Sequence, residues 1–92
     1  MIKYKVKFTS KFKKDYKLAM KQNQDIDLLN DVIAILAVGE ELDEKYKDHE
    51  LRGNWKWHKE CHVLPDWLLI NRYEVDVLVL TLARVGSHSD LF

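Results

Sequence analysis

The chain opens with apolar residues that alternate with lysines. The apolar side chains occupy the even positions, with Ile2, Tyr4, Val6 and Phe8. A period of two predicts a β-strand, because successive side chains of a strand point to opposite faces. We therefore expect a strand over this stretch, with one buried face and one cationic face in water.

A first amphipathic helix is expected directly after this strand. Ser10 has the hydroxyl side chain that commonly caps a helix N-terminus. Phe12, Tyr16 and Ala19 then recur on one side of the predicted helix, and lysines occupy most of the remaining surface.

A second helix is expected after the polar link at 22–24. Asp25 or Asp27 can cap it, and apolar residues between 28 and 36 form a broad face that ends at Gly39. The broader face predicts that this helix is the more buried of the two. From 40 to 54 no period is visible, which predicts a loop with a helical turn and places His49 on exposed, irregular backbone.

Strands dominate the second half of the chain. A strand over residues 57–63 would present its polar trio on a single face, namely His58, Glu60 and His62. The Pro65-Asp66 pair predicts a turn, and residues 67–73 and 77–85 predict a hairpin around the short connection at 74–76. The final strand is almost entirely apolar, so we expect it to be central and covered on both faces.

These elements predict a single α+β domain over residues 1–92. Its sheet is expected to be four-stranded and mostly antiparallel, with both N-terminal helices packed on one face and the other face partly open. The element order is strand, helix, helix, strand, strand, strand, followed by a polar tail over 86–92. Ninety-two residues suffice for one modest core but not for two.

Composition supports a folded protein in the cytoplasm. Hydrophobic residues make up 47% of the chain, with three glycines and one proline, which is typical of a globular domain. The single cysteine, Cys61, excludes an internal disulfide and a multi-cysteine zinc ribbon. No apolar stretch approaches the roughly 20 residues of a membrane span, so no membrane association is expected.

The formal net charge of zero conceals an uneven distribution. Residues 1–21 contain eight lysines and one acid, whereas residues 22–50 contain nine acids and two lysines. Such a basic segment can contact a polyanion, and an acidic neighbour makes that contact directional. The alternative is that both segments are ordinary solvated helix faces.

Four histidines in so short a chain indicate candidate acid–base chemistry. Cleavage of RNA through its own 2′-hydroxyl needs a base, an acid and positive charge near the phosphate, which His, Asp and Arg supply without a metal. A zinc site formed by His58, His62 and Asp66 is the competing interpretation. It lacks the remaining ligands of a recognised zinc motif, so neither a metal nor a cofactor is predicted.

Four sequence blocks in the second half of the chain resemble the YafQ-type toxins of the RelE/ParE superfamily. They are YKDHEL at 46–51, GNWK at 53–56, CHVLPDWLLI at 61–70 and RVGSHSDLF at 84–92. The resemblance implies a RelE-like fold and the toxin of a type II toxin-antitoxin pair, which cleaves messenger RNA in the ribosomal A site. The implied partners are a cognate antitoxin, messenger RNA and the ribosome with its small-subunit RNA.

The same resemblance implies which residues are functional. The catalytic positions fall on His49, His62, Asp66, Arg84 and His88, and the substrate-binding aromatic positions fall on Trp67 and Phe92. Arg84 is the expected stabiliser of the phosphate and His88 the first choice for proton transfer. The ribosomal RNA backbone is the expected contact of a lysine set that comprises Lys3, Lys5, Lys7, Lys11, Lys13, Lys14 and Lys17.

Structural roles compete with several of these assignments. Trp67 can pack in the core instead of stacking on a base, Asp66 can be a turn residue, and Arg84 can be a surface residue at a strand end. At the level of the whole protein, a non-enzymatic toxin such as a gyrase inhibitor, or a module that binds only the antitoxin, can use the same scaffold.

Overall fold

A computed structural model of the chain describes residues 3–92; Ile2, part of the predicted first strand, lies outside them. Short 3₁₀ turns cover Glu44–Tyr46, Gly53–Trp55 and Val75–Val77. The strands and helices are β1 (Lys5–Phe8), α1 (Ser10–Lys21), α2 (Ile26–Ala37), β2 (His49–Glu50), β3 (Lys59–Leu64), β4 (Trp67–Glu74), β5 (Val79–Gly86) and α3 (His88–Leu91). None of the helices in residues 3–92 has the length and apolar character needed to cross a membrane.

The strands form one sheet in the order β1-β5-β4-β3-β2. β1 pairs in parallel with β5, and all other neighbours are antiparallel. The predicted α+β class with a mostly antiparallel sheet and two N-terminal helices on one face is confirmed. The sheet contains a fifth strand, β2, that sequence reasoning missed, because a strand of two residues is too short to show a period.

The main core lies between the two long helices and the sheet. α1 buries Phe12 and Ala19, and α2 buries four residues, including Leu29 and Val32, which are fully inaccessible. The prediction that α2 is the more buried helix is therefore confirmed. Burying each large aliphatic side chain contributes about 1.5 to 3 kcal/mol, so α2 holds the helical layer on the sheet.

A second, smaller core covers part of the opposite face of the sheet. It consists of Leu68, Ile70, Ala83 and Leu91, with Leu51 and Trp55 packed against them. The strand buried continuously on both faces is β4, in which residues 67–71 are all buried. β5 has a strand on either side, but β4 rather than β5 is the middle strand of the sheet. The prediction that the last strand is central is corrected accordingly.

The helix caps differ from the predictions in one case. Thr9, not Ser10, caps α1: its hydroxyl oxygen accepts from the Phe12 amide at 3.0 Å and its hydroxyl donates to the Ala83 carbonyl at 2.7 Å. Two adjacent hydroxyl residues cannot be ranked from sequence alone. Asp25 caps α2 by accepting from the Leu28 amide at 3.0 Å, which resolves the two predicted choices.

Two segments of the second half also depart from expectation. The strand predicted from residue 57 begins at Lys59, because Trp57 has a positive φ of 74° that is incompatible with an extended strand. The tail after Gly86 is not irregular. Ser87 and Asp90 form a capping box that starts α3, and the buried side chain of Leu91 docks this turn on the smaller core.

Cys61 provides a test of the main core. Its side chain is fully buried, and burial, followed by the nearby carboxylates of Asp48 and Glu60, raises the pKa of its thiol to about 12. Because the thiolate is the reactive form, the folded protein should not be alkylated by iodoacetamide at about pH 8. Mass spectrometry should detect alkylation only after unfolding in guanidinium, and rapid alkylation of the folded protein would contradict this packing.

Candidate active site

Two histidines converge on a buried glutamate at the β2–β3 edge of the sheet. β2 pairs with β3 so that His49 lies opposite Glu60. The Nε2 atom of His49 is 3.4 Å from Glu60 Oε1, and the Nε2 atom of His62 is 3.7 Å from the same oxygen. Glu60 is only 3% exposed. His49 and His62, both predicted site residues, are therefore brought together by a residue that was not predicted.

Backbone carbonyls fix the orientation of both imidazoles. His49 Nδ1 lies 2.6 Å from the Lys47 carbonyl oxygen, and His62 Nδ1 lies 3.2 Å from that of Pro65. A carbonyl oxygen only accepts hydrogen bonds, so each Nδ1 is the donor. In the neutral imidazole the Nε2 atom then has a free lone pair, which is the state required of a general base.

A second group forms around the turn between β3 and β4. Asp66 in this turn accepts a hydrogen bond from the backbone amide of His88 at 3.0 Å. The imidazole of His88 and the ring of Phe92 lie 5.1 Å apart between centroids, and Phe92 is 55% exposed. Asp66 thus positions His88 through its backbone, and the aromatic ring beside His88 remains open to a ligand.

Arg84 is held by an acid that sequence reasoning did not single out. Its Nε and Nη2 atoms donate to the two carboxylate oxygens of Asp15 at 2.7 and 3.1 Å, and the Val85 amide donates to Asp15 as well. The hydrogen bond to Asp15 raises the pKa of the guanidinium. A β-bulge at Ala83, where Ile70 pairs with Arg84 but Asn71 pairs with Leu82, sets the direction of this side chain.

The strand register relates these groups to one another. His49, Glu60, Ile70 and Arg84 form one row across four strands. Neighbouring strands are about 4.8 Å apart, so the backbones of Glu60 and Arg84 are about 10 Å apart. The next row joins His62 and Gly86 through Leu68. Both ends of the candidate site therefore lie at the same level of the sheet.

Trp67 and the predicted lysine set lie elsewhere. Trp67 is 4% exposed and packs in the main core, a placement that favours the core-packing alternative over stacking on a base. All seven predicted lysines are exposed. They precede, occupy or follow β1 and lie along α1, whereas His49 is on β2 at the opposite edge of the sheet.

A cleft beside His62 contains basic residues that sequence reasoning missed. It has a volume of about 400 Å³ and is lined by Lys45, Lys47 and His62 together with apolar side chains. These two lysines stand in an acidic segment of the sequence, so charge composition did not single them out. Asp15 was detectable in principle, because it is the one acid among the eight lysines of residues 1–21.

Glu60 was not recognised as central because sequence alone placed it only on a polar strand face. Within residues 3–92, the nitrogen and oxygen atoms that converge as a metal ligand group belong to His49, Glu60 and His62, and lie within 4.8 Å of one another. The set weighed from sequence, His58 with His62 and Asp66, does not converge there. His58 instead lies beside Trp55, before β3 begins.

Substituting Asp15 tests the anchoring of Arg84. Asp15→Asn removes the charge that holds the guanidinium, and hydrogen bonds to charged groups contribute about 1.5 to 3 kcal/mol. We expect the free energy of unfolding, measured in urea, to fall by about 1 to 3 kcal/mol. Asp31→Asn, at an exposed position on α2, is the matched control and should have little effect. Equal stability of both variants would refute the anchoring role.

Comparison with known proteins identifies the family. A family model described as "Bacterial toxin of type II toxin-antitoxin system, YafQ" matches residues 4–92. A curated relative from Escherichia coli strain K12, the "mRNA interferase toxin YafQ", is 37% identical over 93 residues, covering 100% of this chain and 99% of the relative.

Solved structures agree with this family. A chain in the crystal structure of the E. coli DinJ-YafQ toxin-antitoxin complex is 35% identical, with a TM-score of 0.89 and 99% of each chain covered. A metal-bound toxin from Helicobacter pylori is 41% identical, with a TM-score of 0.91 over 100% of both chains. The chain therefore belongs to the YafQ family of bacterial toxins of type II toxin-antitoxin systems.

Proposed function

We propose that this chain is an endoribonuclease that cleaves messenger RNA in the ribosomal A site, in the bacterial cytoplasm, by metal-independent acid–base catalysis. The observation that supports this most directly is the placement of three imidazoles and one guanidinium at one level of the sheet. His49 and His62 adjoin Glu60, and β5 leads from Arg84 to His88. The curated relative named an mRNA interferase supports the substrate class.

The reaction needs no group that the chain lacks. A base removes the proton of a ribose 2′-hydroxyl, and the resulting oxygen attacks the adjacent phosphorus. The bond from phosphorus to the 5′-oxygen breaks, and an acid protonates that oxygen. The products are a 2′,3′-cyclic phosphate and a 5′-hydroxyl, so every atom is accounted for without water, metal or cofactor.

The residues have distinct proposed roles. His88 is the first candidate for proton transfer, because it is exposed beside Phe92, on which a splayed base can stack. His49 and His62 are the candidates for the complementary transfer, since their Nδ1 atoms are held by backbone carbonyls. Asp66 keeps His88 in place through its backbone amide.

Arg84 is the proposed stabiliser of charge on the phosphate. A guanidinium has five N–H donors, and Asp15 engages Nε and Nη2 of Arg84. The Nη1 group is the one directed at neither oxygen of Asp15, and it is the part of Arg84 that we assign to the phosphate. Holding the other side of the fork removes rotamer freedom before the substrate arrives.

The proposed partners follow from charge and from the relatives. A similar chain occurs in a complex with the DinJ antitoxin, and we propose that a cognate antitoxin neutralises this protein too. The exposed lysines of the N-terminal segment are the proposed contacts for small-subunit ribosomal RNA, because backbone phosphates attract lysine without regard to base sequence.

Substitution of His88 tests the enzymatic assignment. His88→Ala should slow cleavage on programmed ribosomes by about 10²- to 10⁴-fold, the contribution of one acid or base. The rate is measured by mapping cut ends on a labelled message, and bare message is compared in parallel to test dependence on the ribosome.

The matched control is His58→Ala, which removes an imidazole that donates to or accepts from the Lys56 carbonyl region outside the candidate site. This control should cleave at the normal rate. Undiminished cleavage and growth arrest by His88→Ala would reject the catalytic assignment in favour of a non-enzymatic toxin, such as a gyrase inhibitor, or a protein-binding module.

The lysine assignment predicts a change in salt dependence. Replacing Lys5 and Lys7 by Gln should flatten the plot of log binding constant for the ribosome against log salt by about 0.7 to 0.9 per lost phosphate contact. Lys21 and Arg72, also exposed and outside the predicted set, supply a control double variant with the same charge change. Equal slopes for the two double variants would contradict a specific role of the β1 lysines.

A further inference from the structure

Three hydrogen-bond acceptors point toward one another at the β2–β3 edge. The Nδ1 atoms of His49 and His62 face carbonyl oxygens, which leaves an Nε2 lone pair on each neutral ring. Both Nε2 atoms face Glu60 Oε1. Acceptors do not attract one another, so this arrangement is favourable only when a positive charge lies between them.

The buried carboxylate strengthens this requirement. The Oε2 atom of Glu60 is inaccessible and has no hydrogen-bond partner among residues 3–92, and the whole residue is 3% exposed. Burying an ionised carboxylate without compensation is costly. The two oxygens of Glu60 therefore offer unsatisfied ligand capacity directly beside the two imidazoles.

The spacing matches a tetrahedral metal centre. Zinc lies about 2.0 to 2.1 Å from its nitrogen and oxygen ligands, which places neighbouring ligand atoms about 3.3 Å apart. The observed separations from Glu60 Oε1 are 3.4 Å to His49 and 3.7 Å to His62. The ligand atoms of the whole group are within 4.8 Å of one another, so a small closure of the two imidazoles completes a coordination sphere.

The hydrogen bonds behind the imidazoles match metal sites as well. A metal-binding histidine usually donates its other N–H to a carbonyl or a carboxylate, which fixes the tautomer and the ring orientation. His49 has this partner in Lys47 and His62 has it in Pro65. The third ligand, Glu60, is fixed by its position in the ladder of β3.

We infer that His49, Glu60 and His62 form a binding site for a late first-row divalent cation such as Zn²⁺. Two imidazoles with one carboxylate suit zinc, nickel and copper, whereas Mg²⁺ and Ca²⁺ prefer oxygen ligands. The remaining coordination position faces solvent, because His49 is exposed at the sheet edge.

The occupied site has a regulatory consequence that rests on the proposed function. A metal ion bound through Nε2 uses the lone pairs with which His49 and His62 would accept a proton. Zinc is therefore an inhibitor of RNA cleavage, and its removal by a chelator restores activity. The binding itself does not depend on whether the protein cleaves RNA.

Binding is tested first, without RNA. Protein freed of metal with a chelator is titrated with Zn²⁺ by calorimetry, and one ion per chain is expected. His49→Ala and His62→Ala should each weaken the affinity by about 10- to 100-fold or more, since even supporting partners have effects of that size. His49 is exposed, so its variant should fold, and its circular dichroism is recorded to verify this.

Two controls define the outcome that would overturn the site. His58→Ala and His88→Ala each remove one imidazole outside the group and should bind zinc as the unmodified protein does, and Mg²⁺ should give no binding heat. Absence of zinc binding, or binding that survives both His49→Ala and His62→Ala, refutes the metal site. In that event a proton, not a metal, occupies the space between the acceptors.

Inhibition is tested separately on programmed ribosomes, with equimolar Zn²⁺ and then excess chelator. Loss and recovery of cleavage supports the regulatory part of the inference, and unchanged cleavage with zinc bound refutes it. If the metal-free protein does not cleave at all, the proposed function fails while the calorimetric result stands. The two failures are therefore distinguishable.

Discussion

The structure depends on the burial of β4 on both of its faces. This strand is hydrogen-bonded to β3 on one side and to β5 on the other, and residues 67–71 are all buried. Its side chains enter the main core and the smaller core in alternation, as Leu68 and Leu69 do. A register slip of one residue would exchange the two sets. The positions of β3 and β5, and hence of their polar residues, are fixed by this packing.

The smaller core attaches the mobile kind of backbone, loop and chain end, to a rigid sheet. Leu51 and Trp55 anchor the segment that follows His49, and Leu91 anchors the helical turn that begins at His88. Both histidines are exposed, yet each is within three residues of a side chain packed on β4 or β5. Exposed chemistry on anchored backbone is what substrate access and fixed geometry together require.

Carboxylates organise every basic group of the candidate site. Asp15 holds Arg84 through two hydrogen bonds, Glu60 lies between His49 and His62, and Asp66 accepts from the His88 amide. These three acids come from a helix, a strand and a turn, so the site needs the whole domain to assemble. Such prior orientation reduces the rearrangement needed when a phosphate arrives. It also explains how one cluster can hold either protons or a metal ion.

The sequence by itself determined the alternation of β1, the two amphipathic helices, the hairpin of β4 and β5 and the identity of the conspicuous histidines. These features follow from local periodicity and residue chemistry, which need no knowledge of distant contacts. Tertiary structure decided which strand is central, that residues 49–50 pair with β3, and that the tail after Gly86 is helical. It also decided that Trp67 is buried and that Asp15 and Glu60 belong to the site. Asp15 and Arg84 are 69 residues apart, and no local pattern encodes such a contact, because it exists only once the helix and the strand have packed together.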